Sequence, residues 1–199
     1  MTRILGALLG LLTISVVMVA PAQAQTLAIL MPGAGGAVPG DFLMRNQARI
    51  EGAGIQTLVT TSSSQAASVS QAETAKGRKV VIVGMSLGAT HVASALAAGA
   101  KVRGAVLVSG VYEQAKANLG SPALLPTTLM IHHAADGCPM TSPDIARNFQ
   151  QWAGGKATIR WINTRGGEDP RPCGPRGAHE FFMQDGPAVS AIVSFIKSR

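Results

Sequence analysis

The sequence predicts a three-layer α/β fold, in which a mostly parallel, doubly wound sheet of about six strands lies between two layers of helices. Short β-branched apolar runs such as residues 80–83 recur along the chain, and amphipathic or alanine-rich stretches separate them. This alternation is typical of parallel strands joined by helices. No linker or internal repeat interrupts residues 25–199, so we expect one domain, large enough for a multilayer core.

The first 24 residues have the pattern of an export signal. Arg3 provides the positive charge, residues 4–20 are apolar, and Ala-Gln-Ala at 22–24 is a small-residue cleavage site. We therefore expect a periplasmic or secreted protein that begins at Gln25. The alternative is an uncleaved membrane anchor, because the apolar stretch is near the lower length limit for a spanning helix.

The predicted strands are short apolar runs of the buried type. In chain order they are residues 27–31, 55–60, 80–84, 104–109, 127–132 and 158–163.

The intervening segments predict helices. Asp41 can cap a helix that ends near Glu51, and Ser142 followed by proline can begin another that runs to Trp152. The final helix shows apolar residues at i, i+3, i+4 and i+7 from Val189. Two further helices are expected, one polar and serine-rich at 62–76 and one alanine-rich at 87–100.

The segment Gly84-Met85-Ser86-Leu87-Gly88 joins the third predicted strand to the alanine-rich helix. This strand–turn–helix setting of a G-x-S-x-G sequence is typical of a nucleophile elbow. Glycine at both flanks leaves room for a tight turn, and Ser86 can then project at the edge of the sheet. The pattern predicts that Ser86 is a catalytic nucleophile.

A serine nucleophile needs an acid and a base, which follow an elbow in the order acid, then histidine, at the ends of later strands. Asp136 lies just after the fifth predicted strand and is the favoured acid. Glu113, after the fourth strand, is its rival. For either carboxylate, a helix-capping or surface role is the alternative.

Four histidines compete for the role of base. His179 follows the last strand, on a Gly/Pro-rich loop, and therefore fits the expected order. His91 lies inside the helix after the elbow, and His132 and His133 precede the acid. These three are interpreted as core or pocket-wall residues, with His133 the one expected to contact substrate.

Two backbone N–H groups are needed to bind the oxyanion of a tetrahedral intermediate. Leu87, after the nucleophile, is one expected donor. The other should come from the glycine-rich loop after the first strand, with Ala34 favoured and Gly35 next. Val38 stands where a G-x-G-x-x-G dinucleotide motif needs Gly or Ala, and no Gly-Lys pair of a P-loop is present.

The two cysteines, Cys138 and Cys173, predict a disulfide, because an exported chain meets an oxidising compartment. A bridge would join the loops of Asp136 and His179. The alternative is a pair of unpaired buried thiols.

Composition argues against a nucleic-acid partner. The formal net charge is +7, but only 4% of residues are aromatic and no run of Lys and Arg is interleaved with them. The basic balance is interpreted as a surface property.

The motifs together resemble the α/β-hydrolase superfamily, and in particular its small exported bacterial members without a cap domain. The resemblance extends over about residues 27–196 and is carried by residues 32–36, 84–88, the strand leading to Asp136, and 177–179. The first two strands of a full-length member have no counterpart, which implies a trimmed sheet.

The resemblance implies a triad of Ser86, Asp136 and His179, an oxyanion hole at Leu87 and Ala34, and neither metal nor organic cofactor. Pro32 departs from the pattern, because histidine is common at that position. We expect hydrolysis of a small or extended acyl ester at an open site, with thioesters, amides and lactones as alternative substrates. After signal cleavage we expect no membrane association. The sequence does not predict the oligomeric state. The alternative function is a catalytically silent exported binding protein on the same fold.

Overall fold

The sheet contains all six predicted strands. The structure, a computed structural model, describes residues 26–165 and 167–199, so the predicted signal peptide at 1–24 lies outside the described residues. All strand pairs are parallel, and the order across the sheet is β2-β1-β3-β4-β5-β6. The strands are β1 (Leu27–Met31), β2 (Gln56–Val59), β3 (Val80–Met85), β4 (Gly104–Val108), β5 (Thr128–His133) and β6 (Ala157–Ile162).

Six α-helices are found in the described residues, one more than the sequence predicts. They are α1 (Phe42–Glu51), α2 (Ser63–Ala75), α3 (Gly88–Ala97), α4 (Tyr112–Leu119), α5 (Pro143–Trp152) and α6 (Asp185–Lys197). Helix α4 was missed because it is short and polar, and only Tyr112, Ala115 and Leu119 on its inner face are buried. The two predicted caps differ in outcome. Asp41 accepts from Leu43 N and Met44 N at the start of α1, whereas Ser142 precedes α5 without a side-chain cap hydrogen bond.

Each face of the sheet is covered by its own hydrophobic core. Alternate side chains of a strand point to opposite faces, so Ile29 belongs to one core and Leu30 to the other. The first core includes buried residues of α2, α3, α4 and α5, with Tyr112 and Phe149 among its largest side chains. The second includes residues of α1 and α6. The three-layer architecture is therefore confirmed.

The strand order places several loops at one edge of the sheet. Strand β1 lies between β2 and β3, so the chain turns in opposite directions after β1 and after β3. In doubly wound sheets, the crevice at the carboxyl ends of strands beside such a reversal is the usual ligand site. The glycine-rich loop and the Ser86 turn follow β1 and β3.

None of the helices in the described residues combines the length and the apolar character needed to cross a membrane.

Candidate active site

Ser86 occupies the turn between β3 and α3 in a strained conformation. Its φ of 50° lies in the left-handed region, which is uncommon for a residue with a side chain. The Ser86 N–H donates to Val108 O at 2.8 Å, and the Ser86 carbonyl accepts from Ala89 N and Val111 N, both at 3.1 Å. These backbone contacts hold the turn, while Ser86 itself remains partly exposed.

The two glycines of the turn are required by close backbone packing. A Cβ atom on Gly84 would lie 2.5 Å from Gly88 O, and a Cβ on Gly88 would overlap Met31 O on the neighbouring strand. Contacts this short are not tolerated by real side chains. The turn therefore packs directly against β1, which brings Ser86 next to the loop that follows Met31.

His179 and Asp136 continue from Ser86 as a chain of hydrogen bonds. His179 Nε2 lies 3.1 Å from Ser86 Oγ, and His179 Nδ1 lies 3.0 Å from Asp136 Oδ2. Asp136 is in the turn after β5, and His179 is in a short 3₁₀ turn at Ala178–Glu180 rather than in an open loop. Both are almost fully buried, with 3% and 2% exposure. With a proton on Nδ1, His179 can accept the Ser86 proton at Nε2.

The loop after β1 lies beside Ser86. A Cβ atom on Gly33 would be 3.3 Å from Ser86 Cβ. Ala34 and Gly35 are exposed, and Leu87 is partly exposed. Within the described residues, the N–H groups of Ala34 and Leu87 donate no hydrogen bond, so both amides are available to an incoming oxygen atom.

Solved structures share this arrangement of strands and helices. An α/β-hydrolase enzyme from the metagenome of Mar Chica lagoon sediments aligns with a TM-score of 0.59 and 16% identity, over 87% of this chain and 91% of the other. An esterase from Exiguobacterium antarcticum gives 0.60 and 10%, over 86% and 92%. The esterase domain of a Rhodothermus marinus protein gives 0.64 and 9%, over 90% and 89%.

This chain has the α/β-hydrolase fold. No family model matches the sequence, and no curated protein is similar enough to match. The fold is therefore shared with these proteins at very low sequence identity.

Thr141 is a buried residue of this α/β-hydrolase fold that the sequence did not single out. Its Oγ1 lies 2.9 Å from Asp136 Oδ2 and 3.0 Å from His179 Nδ1. The Thr141 hydroxyl can donate to the Asp136 carboxylate and accept from the His179 imidazole, and it therefore helps to hold these two side chains in place. The Cys138 N–H donates to the other oxygen, Asp136 Oδ1, at 3.0 Å. A threonine just before a helix gives no pattern that distinguishes this role from an ordinary turn residue.

The disulfide between Cys138 and Cys173 is confirmed. Their Cα atoms are 4.6 Å apart, although 35 positions separate them in the chain. Because the Cys138 N–H also contacts Asp136, the bridge connects the loop of Asp136 to the segment that leads to His179.

Two further histidines, His132 and His133, lie on the same side of the site as Asp136. His132 is fully buried, its Nε2 is 3.5 Å from Asp136 Oδ2, and burial lowers its pKa to about 4 despite the nearby carboxylate. It is therefore neutral in the folded protein at pH 7. His133 Nδ1 accepts from Ala135 N at 3.0 Å, and its Nε2 lies 2.9 Å from Gln184 Oε1. Protein groups thus occupy both nitrogens of the histidine that was expected to contact substrate.

The remaining candidates lie away from the hydrogen-bonded chain. Glu113 is exposed in the first turn of α4, with Lys116 Nζ 3.9 Å from its carboxylate. His91 lies within α3. In the described part of the chain, no group of three or more His, Cys, Asp or Glu side chains is placed to hold a metal ion.

A cavity of about 590 Å³ lies between the acid loop and the β6–α6 segment. Its lining includes Ala135 and Gly137, which flank Asp136, Ala178, which precedes His179, and the charged residues Arg165 and Glu168. Ser86, Asp136 and His179 are not among the residues that line it.

Proposed function

We propose that this protein is a serine hydrolase that cleaves carboxylic esters or thioesters through an acyl-enzyme on Ser86. The observation that carries the proposal is the continuous chain from Ser86 Oγ through His179 to Asp136, with links of 3.1 and 3.0 Å. A serine hydroxyl becomes an effective nucleophile when a base within hydrogen-bond reach accepts its proton and a third group orients that base. A strained, partly exposed serine next to this pair meets that requirement.

The proposed reaction has two halves. Ser86 Oγ attacks the substrate carbonyl while His179 Nε2 takes the hydroxyl proton, and His179 then gives that proton to the departing alkoxide or thiolate. Water next attacks the acyl-enzyme, with His179 again as base, and Ser86 is restored. Asp136 remains ionised throughout and stabilises the imidazolium form of His179.

The tetrahedral intermediate carries its negative charge on the former carbonyl oxygen. In our proposal, the N–H groups of Leu87 and Ala34 bind this oxygen, with Gly35 as the neighbouring alternative. Their lack of protein acceptors within the described residues supports the assignment, because such donors must be free to meet the charge as it develops. No step needs a metal ion or a cofactor.

Two further observations support an exported esterase. Two of the structural neighbours are described as an esterase and an esterase domain, which favours an ester among the carbonyl substrates. The disulfide favours an oxidising compartment, in agreement with the export signal expected at residues 1–24. The proposed substrate is a small molecule.

The proposal is tested by labelling with a fluorophosphonate probe and by hydrolysis of p-nitrophenyl acetate. Ser86→Ala should abolish labelling and lower turnover by about 10³- to 10⁶-fold, because the nucleophile is lost. Ser109→Ala is a matched control. Ser109 also has a positive φ, of 40°, at the end of a neighbouring strand, but it is fully buried. Labelling of the Ser86→Ala variant would contradict the proposal, and an unlabelled wild-type protein would favour a catalytically silent binding protein.

A further inference from the structure

Asp41 uses both oxygens of a buried carboxylate. Oδ1 accepts from Leu43 N at 2.8 Å and from Met44 N at 3.3 Å, which is the helix cap that the sequence predicts. Oδ2 accepts from Gly33 N at 2.8 Å. Gly33 lies outside the helix, eight positions earlier in the chain, so this second contact contributes nothing to capping.

The Gly33 contact ties the glycine-rich loop to the rigid start of α1. Within the described loop, Gly36 N donates to Gly33 O at 2.9 Å and Val38 N donates to Gly36 O at 2.8 Å, while at the far end of the loop Asp41 N donates to Val38 O at 3.0 Å. Pro32 has no N–H to offer. The Asp41 carboxylate is therefore the contact that joins the Gly33 end of the loop to the start of α1.

The direction of the next amide depends on this anchor. Ala34 N–H follows Gly33, and glycine has more backbone freedom than any other residue. Gly33 also lies against Ser86, since a Cβ on it would be 3.3 Å from Ser86 Cβ. Fixing the Gly33 N–H at this point restricts the backbone rotations that set the direction of the Ala34 N–H.

We propose that Asp41 is a positioning residue for catalysis, which acts through Gly33 to aim the Ala34 N–H at the oxyanion. This inference rests on the serine hydrolase function proposed above. A carboxylate is a stronger acceptor for a backbone N–H than a neutral group, which suits a contact that must hold during the reaction. Asp41 itself is 5% exposed and does not need to touch the substrate.

The test is Asp41→Asn, assayed with p-nitrophenyl acetate and with a boronic acid that forms a tetrahedral anion on the serine. Two N–H groups of the helix, against one of Gly33, favour the orientation in which the asparagine oxygen keeps the helix cap. The NH₂ group then faces the Gly33 N–H and cannot accept from it. We expect kcat to fall by about 10- to 100-fold, somewhat less than for the loss of an oxyanion donor itself. KM should change by less than about twofold, and affinity for the boronic acid should fall in parallel with kcat.

Ser62→Ala is the matched control, because it removes the cap of α2, which lies outside the proposed site. It should lower the melting temperature without changing kcat. If Asp41→Asn melts lower but keeps the wild-type kcat and boronic acid affinity, Asp41 is only a helix cap and the inference is wrong.

A measurement on the wild-type protein tests the same contact even if the Asp41→Asn variant does not fold. Hydrogen exchange should be slower at the Gly33 amide than at the Ala34 amide, because only the former donates a hydrogen bond. Equal exchange would overturn the anchor. The failure of this inference can be distinguished from the failure of the proposed function. A wild-type protein that the fluorophosphonate does not label overturns both the serine hydrolase function and the role of Asp41. A labelled wild type together with a fully active Asp41→Asn variant overturns only the role of Asp41.

Discussion

The two halves of the candidate active site are held by different forces. The half around the proposed nucleophile Ser86, which we call the nucleophile half, is fixed by backbone hydrogen bonds and by contacts so close that only glycine fits at Gly84 and Gly88. The acid–base half is fixed by side chains. Asp136 and His179 are 43 positions apart, and they meet through their own hydrogen bond, the Thr141 hydroxyl and the disulfide.

This difference predicts how each half responds to substitution. Backbone packing at the nucleophile turn leaves no space for an extra atom, so a change there should damage the whole fold. Side-chain links on the acid–base half can be removed one at a time, so a change there should affect geometry and turnover first.

The largest effect is expected from Gly88→Ala. The new Cβ would overlap Met31 O in the centre of the sheet, so either β1 or the turn must move. We expect a loss of more than about 4 kcal/mol in the free energy of unfolding, and failure to fold if the wild type is only marginally stable. Gly137→Ala, in the acid loop, is the control because no atom lies within 4 Å of its added Cβ. Equal stability of the two variants in urea denaturation would contradict the contrast.

Asp136→Asn should disturb the acid–base half without unfolding it. The amide cannot stabilise a protonated His179 and favours the wrong tautomer, so turnover should fall by about 10²- to 10⁴-fold. Glu113→Gln should have no effect, because Glu113 is exposed on α4. The measurement is kcat for p-nitrophenyl acetate in both variants. A strongly lowered kcat in Glu113→Gln together with a wild-type kcat in Asp136→Asn would assign the acid role to Glu113 instead of Asp136.

Removal of the disulfide tests whether cross-linking acts on stability alone. The double variant Cys138→Ser/Cys173→Ser should lose about 2 to 4 kcal/mol of stability, because the unfolded chain is no longer constrained. It should also turn over substrate more slowly at temperatures where it is fully folded, because the loops of Asp136 and His179 are no longer held in register. Turnover equal to wild type in the folded double variant would limit the bridge to a structural role.

The smallest expected effect is a change in the pH dependence of stability. Burial raises the pKa of Glu180 from 4.5 to about 7, so stability from this group is present below pH 4.5 and is lost as pH rises to about 7. Burial lowers the pKa of His132 from 6.5 to about 4, so its contribution has the opposite sign, and stability rises with pH over about 4 to 6.5. The two slopes oppose each other between pH 4.5 and 6.5.

Glu180→Gln removes the contribution of Glu180 to the pH dependence of stability and leaves that of His132. The glutamine oxygen can still accept from Phe42 N, which contacts Glu180 Oε2 at 2.6 Å. Relative to wild type, the variant should gain about 1 to 3 kcal/mol of stability between pH 4.5 and 7, measured by urea denaturation. Parallel curves for the two proteins would show that Glu180 does not titrate in this way.

The same contrast explains how much the sequence could predict. The strands, the three layers and the nucleophile turn follow from local patterns, because β-branched runs and a G-x-S-x-G turn act through neighbouring residues. Asp136 and His179 could be proposed only from their order along the chain. Thr141 and the contact of Asp41 with Gly33 could not be predicted, because they depend on tertiary distances that no local pattern encodes. Helix α4 was missed because three buried residues on a short polar segment give a weak signal.

The most direct test of the central claim is to trap the acyl-enzyme. Wild-type protein mixed with p-nitrophenyl acetate and quenched in acid within the first turnover should carry an acetyl group on Ser86, located by mass spectrometry of peptides. A burst of p-nitrophenol of about one equivalent per chain should accompany it. An acetyl group on another residue, turnover by the wild type without any burst or adduct, or undiminished turnover by Ser86→Ala would contradict the account.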